Sequence, residues 1–530
     1  MSLLQIENLD LDIHGTPILR GISLSVQAGE IVGVIGESGS GKSMTAFVVM
    51  QLLPDGATCS GKVILNQEDV LTLDEDSLCK LRGAQVGMVF QEPMTALNPI
   101  QTIGDQVAET ILIHEKVSRA EARDRARIAL ARAELPEDKF PLSRYPFELS
   151  GGQRQRVVIA MAIALRPKLL IADEPTTALD VTTQAQILTL LKKLVREDGM
   201  GMLMITHDLA VVSDMADEIV IMEKGRIVEA GPAKTLFQTM KHPYSIALFK
   251  ASGHVPVRTN TATDVPLLEV ENVVRDYALP RTKLFAPVSY FRAVNNVNFT
   301  IERGESLGLV GESGCGKSTL TRAILGLEEV QSGDIRLGGQ PVFAGHKVNR
   351  AVRRRMQVVF QDPYGSFNPR HKVARLVSEP FHLLDEPPKG AQKNAAITRS
   401  LESVGLTERD ADKYIHEFSG GQRQRIAIAR ALIINPDLII LDEAVSALDV
   451  SIRAQILDLL AQLAKDLGLT YLFISHDLSV VRSITDRVLV MKSGEIVEQG
   501  PTKQVFDAPR HPYTKSLIAA APRLPEISVA

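Results

Sequence analysis

Two glycine-rich loops carry the residue types that bind phosphate. Both fit the pattern Gly, four residues, Gly-Lys-Ser. Glycines let successive backbone N–H groups face one phosphate chain, and the helix that follows adds a positive partial charge. The lysine reaches the outer phosphates, and the serine hydroxyl can hold Mg²⁺. The predicted phosphate-binding residues, including the residue after each loop, are Gly36, Glu37, Ser38, Gly39, Ser40, Gly41, Lys42, Ser43 and Met44, and then Gly311, Glu312, Ser313, Gly314, Cys315, Gly316, Lys317, Ser318 and Thr319.

Two acidic pairs follow apolar runs that read as buried strands. They are Asp173-Glu174 and Asp442-Glu443. A buried strand that ends in two carboxylates is costly unless a cation sits beside them. We expect Asp173 and Asp442 to hold Mg²⁺, and Glu174 and Glu443 to accept a proton from the attacking water.

A Ser-Gly-Gly-Gln motif stands before an apolar helical stretch in each half of the chain. The motif residues are Ser150, Gly151, Gly152 and Gln153, and then Ser419, Gly420, Gly421 and Gln422. A helix N-terminus with a hydroxyl and free amides is a second anion site. Because each half already has its own phosphate loop, this second site indicates a phosphate held between two domains.

The elements around these residues repeat. Leu3–Asn8 matches Leu267–Asn272, which predicts a first domain at 1–250, a linker at 251–266 and a second domain at 267–530. The linker spans at most about 50–55 Å when fully extended. Strands and helices alternate around each loop, which predicts an α/β fold with a mainly parallel sheet, an antiparallel β part and an inserted helical subdomain.

The composition narrows the class of protein. The chain has 530 residues with a net charge of −4, so its overall charge does not favour nucleic acid as a partner. Three scattered cysteines argue against structural disulfides and metal binding. The apolar runs are too short for a membrane span, so we expect a soluble chain in the cytoplasm. Cys315 lies at a helix N-terminus, where the pKa of a thiol tends to fall, so we expect maleimide to label it unless Mg-ATP protects it. A buried, inert cysteine is the alternative.

Together these motifs resemble those of ATP-binding cassette (ABC) ATPases, and they cover nearly the whole chain twice. The resemblance implies ATP and Mg²⁺ as ligands, with the two domains facing head to tail. It implies that Gln91 and Gln361 contact Mg²⁺ and that His207 and His476 contact the γ-phosphate. Asp180 and Asp449 match the family's D-loop, the segment after the acidic pair. Tyr277 matches the aromatic residue that lies near adenine, whereas the first domain has Ile13-His14 there.

Further stretches are similar to the dipeptide and oligopeptide importer branch of that family. They are 90–99, 360–369, His242-Pro243-Tyr244-Ser245 and His511-Pro512-Tyr513-Thr514. The fusion of two such ATPases looks like the Yej-type importers of microcin C and other peptides. The cysteine cluster that many peptide-importer ATPases carry after the His-Pro-Tyr motif is absent.

This resemblance implies partners and a location. We expect two transmembrane permease subunits, contacted around Gln91–Pro99 and Gln361–Pro369, and a periplasmic peptide-binding protein. The chain is then peripheral, on the cytoplasmic face of the bacterial inner membrane. Importers of glutathione, nickel or opines use the same scaffold and stay as alternatives, because the cargo contacts other proteins. A soluble tandem ABC protein of translation is an alternative of another class, although its long charged linker is missing here.

Overall fold

The computed structural model describes residues 2–91, 96–177, 179–259, 262–279, 281, 287–362 and 364–525. Each half of the chain builds a small antiparallel sheet and a six-stranded, mainly parallel sheet. The strands of the first domain are β1 (Ser2–Ile13), β2 (Thr16–Gln27), β3 (Ile31–Ile35), β4 (Ala57–Leu65), β5 (Glu68–Asp69), β6 (Val86–Val89), β7 (Leu169–Asp173), β8 (Gly201–Ile205), β9 (Glu218–Glu223) and β10 (Arg226–Pro232).

The central sheet of the first domain has the strand order β10-β9-β3-β8-β7-β6, and β10 alone runs antiparallel to its neighbour. β3, β6, β7 and β8 are buried along their whole length, as expected for strands covered on both faces. Since these four strands are parallel, their carboxyl ends lie at one edge of the sheet. The residues that come directly after these strands are therefore brought together at that edge of the sheet.

The helices of the first domain cover that sheet and form the helical middle. They are α1 (Lys42–Met50), α2 (Glu75–Leu81), α3 (Ile103–His114), α4 (Arg119–Arg132), α5 (Gly151–Ile163), α6 (Val181–Asp198), α7 (Leu209–Met215), α8 (Ala233–Thr239) and α9 (Pro243–Ser252). Thr102 and Ser118 cap α3 and α4, because each side chain accepts a hydrogen bond from a backbone N–H of the first turn. Single turns of 3₁₀ helix lie at Val70–Thr72 and Pro146–Glu148.

The second domain repeats this plan with a few additional short strands. Its strands are β11 (Pro266–Ala278), β12 (Tyr290–Glu302), β13 (Ser306–Val310), β14 (Ser332–Leu337), β15 (Gln340–Pro341), β16 (Phe343–Ala344), β17 (Lys347–Val348), β18 (Met356–Val359), β19 (Leu438–Asp442), β20 (Thr470–Ile474), β21 (Arg487–Lys492) and β22 (Glu495–Pro501). Its central sheet has the order β18-β19-β20-β13-β21-β22, which is that of the first domain.

The helices of the second domain are α10 (Lys317–Ile324), α11 (Arg350–Arg353), α12 (Val373–Val377), α13 (Gly390–Glu402), α14 (Gly420–Leu432), α15 (Val450–Leu467), α16 (Leu478–Ile484), α17 (Thr502–Asp507) and α18 (Pro512–Ala520). 3₁₀ turns lie at Glu379–Leu383, Glu408–Asp412 and Ile415–Glu417. The predicted fold class is confirmed in both domains. None of the helices in the described part of the chain has the length and apolar character that a bilayer span requires.

The segment between the domains is attached to the second one. His254 Nε2 lies 2.7 Å from Asp458 Oδ1, and Arg258 donates to Asp486 at 2.8 Å. Leu524, near the end of the described residues, packs against the apolar core of the first domain. The two domains are thus joined by more than the covalent connection.

Candidate nucleotide sites

The first phosphate loop connects β3 to α1. Gly36 has φ 154° and Gly41 has φ 100°, both in the region that favours glycine. A Cβ atom on Gly36 would meet Met222 O at 2.3 Å. Only glycine therefore lets the chain leave the strand, curl and enter the helix here. The second loop repeats this geometry, since Gly311 has φ 155° and Gly316 has φ 111°.

The lysine of each loop folds back over the loop itself. Lys42 Nζ donates to Gly36 O at 2.8 Å and to Glu37 O at 2.9 Å. Lys317 makes the same two contacts at 2.7 and 2.9 Å. Burial lowers the pKa of Lys42, although nearby Glu174 opposes that shift. Each ammonium group thus stands inside the curl where phosphate oxygens are expected.

The predicted base of the first domain lies in a dense hydrogen-bond network. Glu174 Oε1 is 3.1 Å from His207 Nδ1, and Glu174 Oε2 accepts from Thr177 Oγ1 at 2.8 Å and Gln91 Nε2 at 2.9 Å. Burial acts to raise the pKa of Glu174, but the hydrogen bond and charge of His207, with the other two donors, lower it to about 2. The pKa of His207 is raised, because Glu174 outweighs the opposing effect of burial.

The second domain repeats the pair of glutamate and histidine. Glu443 Oε1 is 3.2 Å from His476 Nδ1. The pKa of Glu443 is lowered, because the contact with His476 outweighs the opposing effect of burial. The pKa of His476 is raised, because Glu443 outweighs the effect of burial there. Gln361, Glu443 and Ser318 line one cavity of about 720 Å³. The sequence-predicted residues of this site therefore meet in one place.

In each domain the aspartate at the strand end lies near the loop lysine, and Asp173 in the first domain has the surroundings of a cation ligand. Asp173 is only 3% exposed, and its Oδ1 finds no hydrogen-bond partner among the described residues. Burial raises the pKa of Asp173 and of Asp442, even though Lys42 or Lys317 opposes the shift in each site. A buried carboxylate oxygen without a partner fits a metal ion. In the described part of the chain no three His, Cys, Asp or Glu side chains form a metal-binding cluster.

Ser150 and Ser419 begin helices α5 and α14 with a reciprocal cap. Ser150 N donates to Gln153 Oε1 at 3.0 Å, and Gln153 N donates to Ser150 Oγ at 3.4 Å. Ser419 and Gln422 do the same at 3.1 and 3.5 Å. Ser150, Ser419 and Gln422 are exposed, and Gln153 is half-buried. They form exposed helix N-termini of the kind that receive an anion.

The two glycines of this motif differ in role. A Cβ atom on Gly152 would meet Thr183 Cγ2 at 2.2 Å, and one on Gly421 would meet Ile452 Cγ2 at 2.4 Å. The second glycine therefore allows close packing against the next long helix of the same domain, which the motif alone did not indicate. Gly420 has open space around it, and Gly151 has only an ordinary contact at 3.7 Å.

Each phosphate loop also contacts an aspartate of the other domain. Asp449 Oδ1 accepts from Ser38 N at 2.7 Å and from Ser38 Oγ at 2.8 Å. Asp180 Oδ2 accepts from Ser313 N at 3.4 Å. Between the domains is a cavity of about 1060 Å³ that both His207 and His476 line. The two loops therefore face the opposite domain, as head-to-tail pairing requires.

The position predicted for adenine differs between the domains. Tyr277 lies beside the second loop, since its hydroxyl reaches Thr319 Oγ1 at 3.4 Å and also contacts Glu328. The Arg275 guanidinium covers one face of the Tyr277 ring, 4.8 Å from its centre. In the first domain Ile13 is partly buried, and the His14 ring lies against Gly56.

The prediction for Cys315 is wrong. The residue is only 6% exposed, and burial raises the pKa of its thiol although Lys317 Nζ lies 3.8 Å from the sulfur. A Cβ atom on Gly311 would meet this sulfur at 2.8 Å. Loss of solvation thus exceeds the effect of the helix N-terminus, and Cys315 acts as a small packing residue.

Two further predicted residues, Met44 and Ser43, lie in or directly after the first phosphate loop. Met44 is a partly buried residue that packs on the apolar core. Ser43 lies within hydrogen-bonding reach of Asp173. The stretches predicted to contact a permease are only partly described, because 92–95 and 363 lie outside the described residues.

Two family models match this chain. The model "ABC transporter" matches twice, at residues 19–177 and 294–446. The chain belongs to the ABC transporter family. Both of its ABC domains keep the loop lysine, the two carboxylates and the histidine, and it is an ATP-binding ATPase. The model "Oligopeptide/dipeptide transporter, C-terminal region" matches at residues 228–268 and 497–528, so each ABC domain ends in that region.

Known proteins resemble this ABC protein along its whole length. The "Glutathione import ATP-binding protein GsiA" of Escherichia coli O157:H7 is 46% identical, over 98% of this chain and 90% of the relative. The protein of the same name from Shigella dysenteriae serotype 1 (strain Sd197) has the same identity and coverage. Among solved structures, the ATP-binding cassette MJ0796 in a post-hydrolysis state with ADP and Pi is 33% identical and has a TM-score of 0.39. That match covers 43% of this chain and 98% of the solved one.

Four residues that contact the loops of the ABC sites were absent from the predicted site residues, namely Asp180, Asp449, Tyr244 and Tyr513. Asp449 contacts the first loop across the domain boundary, and Tyr244 and Tyr513 contact the loops through their hydroxyls. Asp449 was recognisable as a D-loop residue, but no motif indicated its partner. The repetition of His-Pro-Tyr in both ABC domains was the available signal for the tyrosines.

Proposed function

We propose that this chain powers the import of small peptides through a separate permease by hydrolysing ATP at two sites between its domains. The observation that carries the proposal is the contact of each phosphate loop with the other domain, Ser38 with Asp449 and Ser313 with Asp180. ATP bound at such a boundary stabilises the closed pair, and hydrolysis removes that stabilisation. The C-terminal regions of the peptide-transporter type support the class of cargo.

In the first site the loop amides and Lys42 bind the phosphates, and Ser419-Gly420-Gly421 contributes the opposite side. The second site pairs the loop of Lys317 with Ser150-Gly151-Gly152. Gln153 and Gln422 hold the two serines through the reciprocal cap. Gly151 and Gly420 are exposed, and their amide groups can donate to a γ-phosphate because the caps engage the side chains of the serines rather than these glycines.

Hydrolysis requires a change of partner at the glutamate. Glu174 is ionised, but at a pKa of about 2 it is a weak base as long as His207 contacts it. A γ-phosphate offers the imidazole a more strongly charged acceptor. When His207 donates to that phosphate instead, the basicity of Glu174 rises and it takes a proton from the attacking water. Glu443 and His476 act in the same way in the second site.

The residues present fit Mg²⁺, since Asp173 offers a buried oxygen without a partner. The ion would be held by Ser43, Gln91 and Asp173 in one site and by Ser318, Gln361 and Asp442 in the other, and it would neutralise phosphate charge. Tyr277 stacks on the adenine of the second site through the ring face that Arg275 leaves open.

The proposed assembly has two permease subunits, contacted through Gln91–Pro99 and Gln361–Pro369, and a periplasmic binding protein that delivers the cargo. The chain is peripheral at the cytoplasmic face of the bacterial inner membrane. The relatives named for glutathione import make glutathione, a tripeptide, the favoured cargo. Longer peptides of the kind carried by Yej-type importers are the second candidate, favoured by the motifs of the peptide-importer branch. Nickel, opines and a role in translation have no further support.

The test is uptake by cells of the source organism that lack this chain. Labelled glutathione, a dipeptide and an oligopeptide are supplied separately, and the wild-type chain or the Glu174→Gln, Glu443→Gln double variant is returned on a plasmid. We expect glutathione uptake to be lost, restored by the wild-type chain and not by the variant. Loss of oligopeptide uptake alone would support the second candidate. Normal uptake of all three in the deletion strain would refute a role in peptide import.

A further inference from the structure

The C-terminal region of the first domain contains a helix whose start is held in place by several contacts. His242 Nδ1 accepts a hydrogen bond from Tyr244 N at 3.3 Å, and Pro243 is the first residue of α9. The Glu229 carboxylate, on β10, accepts from Lys241 N at 2.7 Å and from His242 N at 3.4 Å. The cap and the glutamate together determine where the Tyr244 side chain lies.

The second domain repeats the arrangement with different neighbours. His511 Nδ1 accepts from Tyr513 N at 3.2 Å, at the start of α18. The Glu498 carboxylate, on β22, accepts from Arg510 N at 2.8 Å and from His511 N at 2.9 Å. Two copies of one construction, in domains whose sequences have diverged, indicate that it serves the same purpose in both.

The two tyrosine hydroxyls lie against the phosphate loops. Tyr244 Oη accepts a hydrogen bond from Glu37 N at 3.0 Å, and Tyr513 Oη accepts one from Glu312 N at 3.0 Å. Burial raises the pKa of both tyrosines to about 12, so each hydroxyl is a neutral acceptor at physiological pH. In the first loop the next amide, Ser38 N, is the one that donates to Asp449. The tyrosine therefore holds the loop beside the contact between the domains.

Helix α9, which carries Tyr244, also contacts the second domain. Val450, which follows Asp449, is 7% exposed and belongs to the apolar core of the first domain, where Tyr244 and Leu248 also pack. Helix α9 accordingly packs against α15 of the second domain. A valine that leaves water in this way ties the position of α9 to the approach of the second domain.

The reciprocal contact lies on the other side. Val181, which follows Asp180, is 6% exposed and lies in one apolar cluster with Tyr513 and Leu517. Helix α18 packs against α6 of the first domain. Each His-Pro-Tyr helix thus contacts its own phosphate loop through a hydroxyl and the opposite domain through its apolar face.

We propose that Tyr244 and Tyr513 are positioning residues that hold the phosphate loops ready for ATP, and that the valine after each D-loop aspartate, docked beside them, couples this to domain closure. The inference rests on the proposed binding of ATP between the domains. A loop amide that is fixed before ATP arrives loses less conformational freedom on binding. Removal of the hydroxyl leaves that amide without its acceptor and allows the loop to move.

The test measures each site separately in the full-length chain. Lys317→Ala leaves the first loop intact, and Lys42→Ala leaves the second. In the Lys317→Ala chain we expect Tyr244→Phe to raise the Kd of a fluorescent ATP analogue about tenfold, and Tyr513→Phe to change it less than about twofold. In the Lys42→Ala chain we expect the reverse, so that Tyr513→Phe raises the Kd about tenfold and Tyr244→Phe changes it less than about twofold.

A matched control separates positioning from stability. Tyr471 is also buried, and its hydroxyl donates to Leu460 O at 3.1 Å, but it pairs with Ser306 at the end of β13 away from the second loop. Tyr471→Phe should lower the thermal midpoint without changing either Kd. The proposal is overturned if Tyr244→Phe changes both Kd values equally, or changes neither, or behaves as Tyr471→Phe does.

The proposed role of Val450 and Val181 in coupling the loops to domain closure is tested with separate variants. Val450→Ala should raise the Kd at the first loop and Val181→Ala the Kd at the second, each with the opposite loop unchanged. If both leave ATP binding as it is, the valines do not couple closure to the loops and that part of the proposal is wrong. Because these measurements concern ATP alone, a chain that failed every peptide-uptake assay would still give them, so failure of the cargo proposal remains distinguishable.

Discussion

The contact between Asp449 and Ser38 should contribute more to closure of the domains than its counterpart between Asp180 and Ser313. Asp449→Ala removes two hydrogen bonds to a carboxylate, of 2.7 and 2.8 Å. A hydrogen bond to a charged group contributes about 1.5–3 kcal/mol. Since Ser38 is exposed, water compensates part of the loss, and we count one bond. Closure should then require about ten- to hundredfold more ATP.

Asp180→Ala provides the comparison. It removes one cross-domain hydrogen bond of 3.4 Å, which is longer than the roughly 2.7–3.2 Å of a well-formed N–H···O bond. Although the acceptor is again a carboxylate, we therefore assign this bond only about 0.5–1.5 kcal/mol, which corresponds to an effect of about two- to tenfold. Asp180 also caps α6, since it accepts from Thr183 N at 3.0 Å, and loss of a cap costs about 0.5–2 kcal/mol of stability. Asp449 makes no such side-chain cap to α15. Asp180→Ala should therefore lower the thermal midpoint more, although it weakens closure less.

The assay is a titration with Mg-ATP of chains that also carry Glu174→Gln and Glu443→Gln, so that the closed form accumulates. Closure is followed by small-angle X-ray scattering, and thermal midpoints are measured without nucleotide. Equal ATP requirements for the Asp449→Ala and Asp180→Ala chains would refute the reasoning from the two geometries. A larger thermal shift for Asp449→Ala would refute the assignment of the cap.

Glu174→Gln together with Glu443→Gln should abolish ATP turnover and keep ATP binding, because glutamine cannot accept the proton; steady-state hydrolysis near the wild-type rate would contradict this. Cys315 should react slowly with maleimide in the native chain, because it is buried and its thiol pKa is raised, and fast labelling measured by mass spectrometry would disprove that. The Lys317→Ala chain should bind ATP about tenfold more weakly than the Lys42→Ala chain in equilibrium titrations, because Tyr277 matches the family's adenine-stacking position in the second domain and Ile13 stands at that position in the first. Equal affinities would remove the case for asymmetry.

The loops and the carboxylates were predictable because their chemistry is local. A lysine six residues after a glycine reaches back over one turn of chain, and Asp173 is the last residue of its own strand. The fold places such residues at one sheet edge through parallel pairing alone. Proximity to the loop followed in the same way for His207, which comes after β8.

The contacts between distant segments could not be predicted in this way. Tyr244 is 207 residues from Glu37, and Asp449 is 411 residues from Ser38, so both contacts depend on how whole domains pack. Cys315 shows a competition of two effects that sequence cannot weigh, because burial is a property of the packed loop. Gly152 is a similar case, because the space that its missing Cβ atom leaves is filled by Thr183, a contact that depends on how two helices pack.

The segment between the domains affects how far the residues of the two nucleotide sites can differ from each other. His254 and Arg258 attach it to the second domain, so the freely moving part of the tether is shorter than the linker itself. A short tether gives its two ends an effective concentration on the order of millimolar. Each first domain therefore meets its own second domain long before it meets that of another molecule. Partner choice is guaranteed by covalent connection, so surface residues need not encode it. A substitution that would weaken pairing between separate subunits should therefore cost less here. A residue of one site, such as Tyr277, can differ from its counterpart without changing which domains pair.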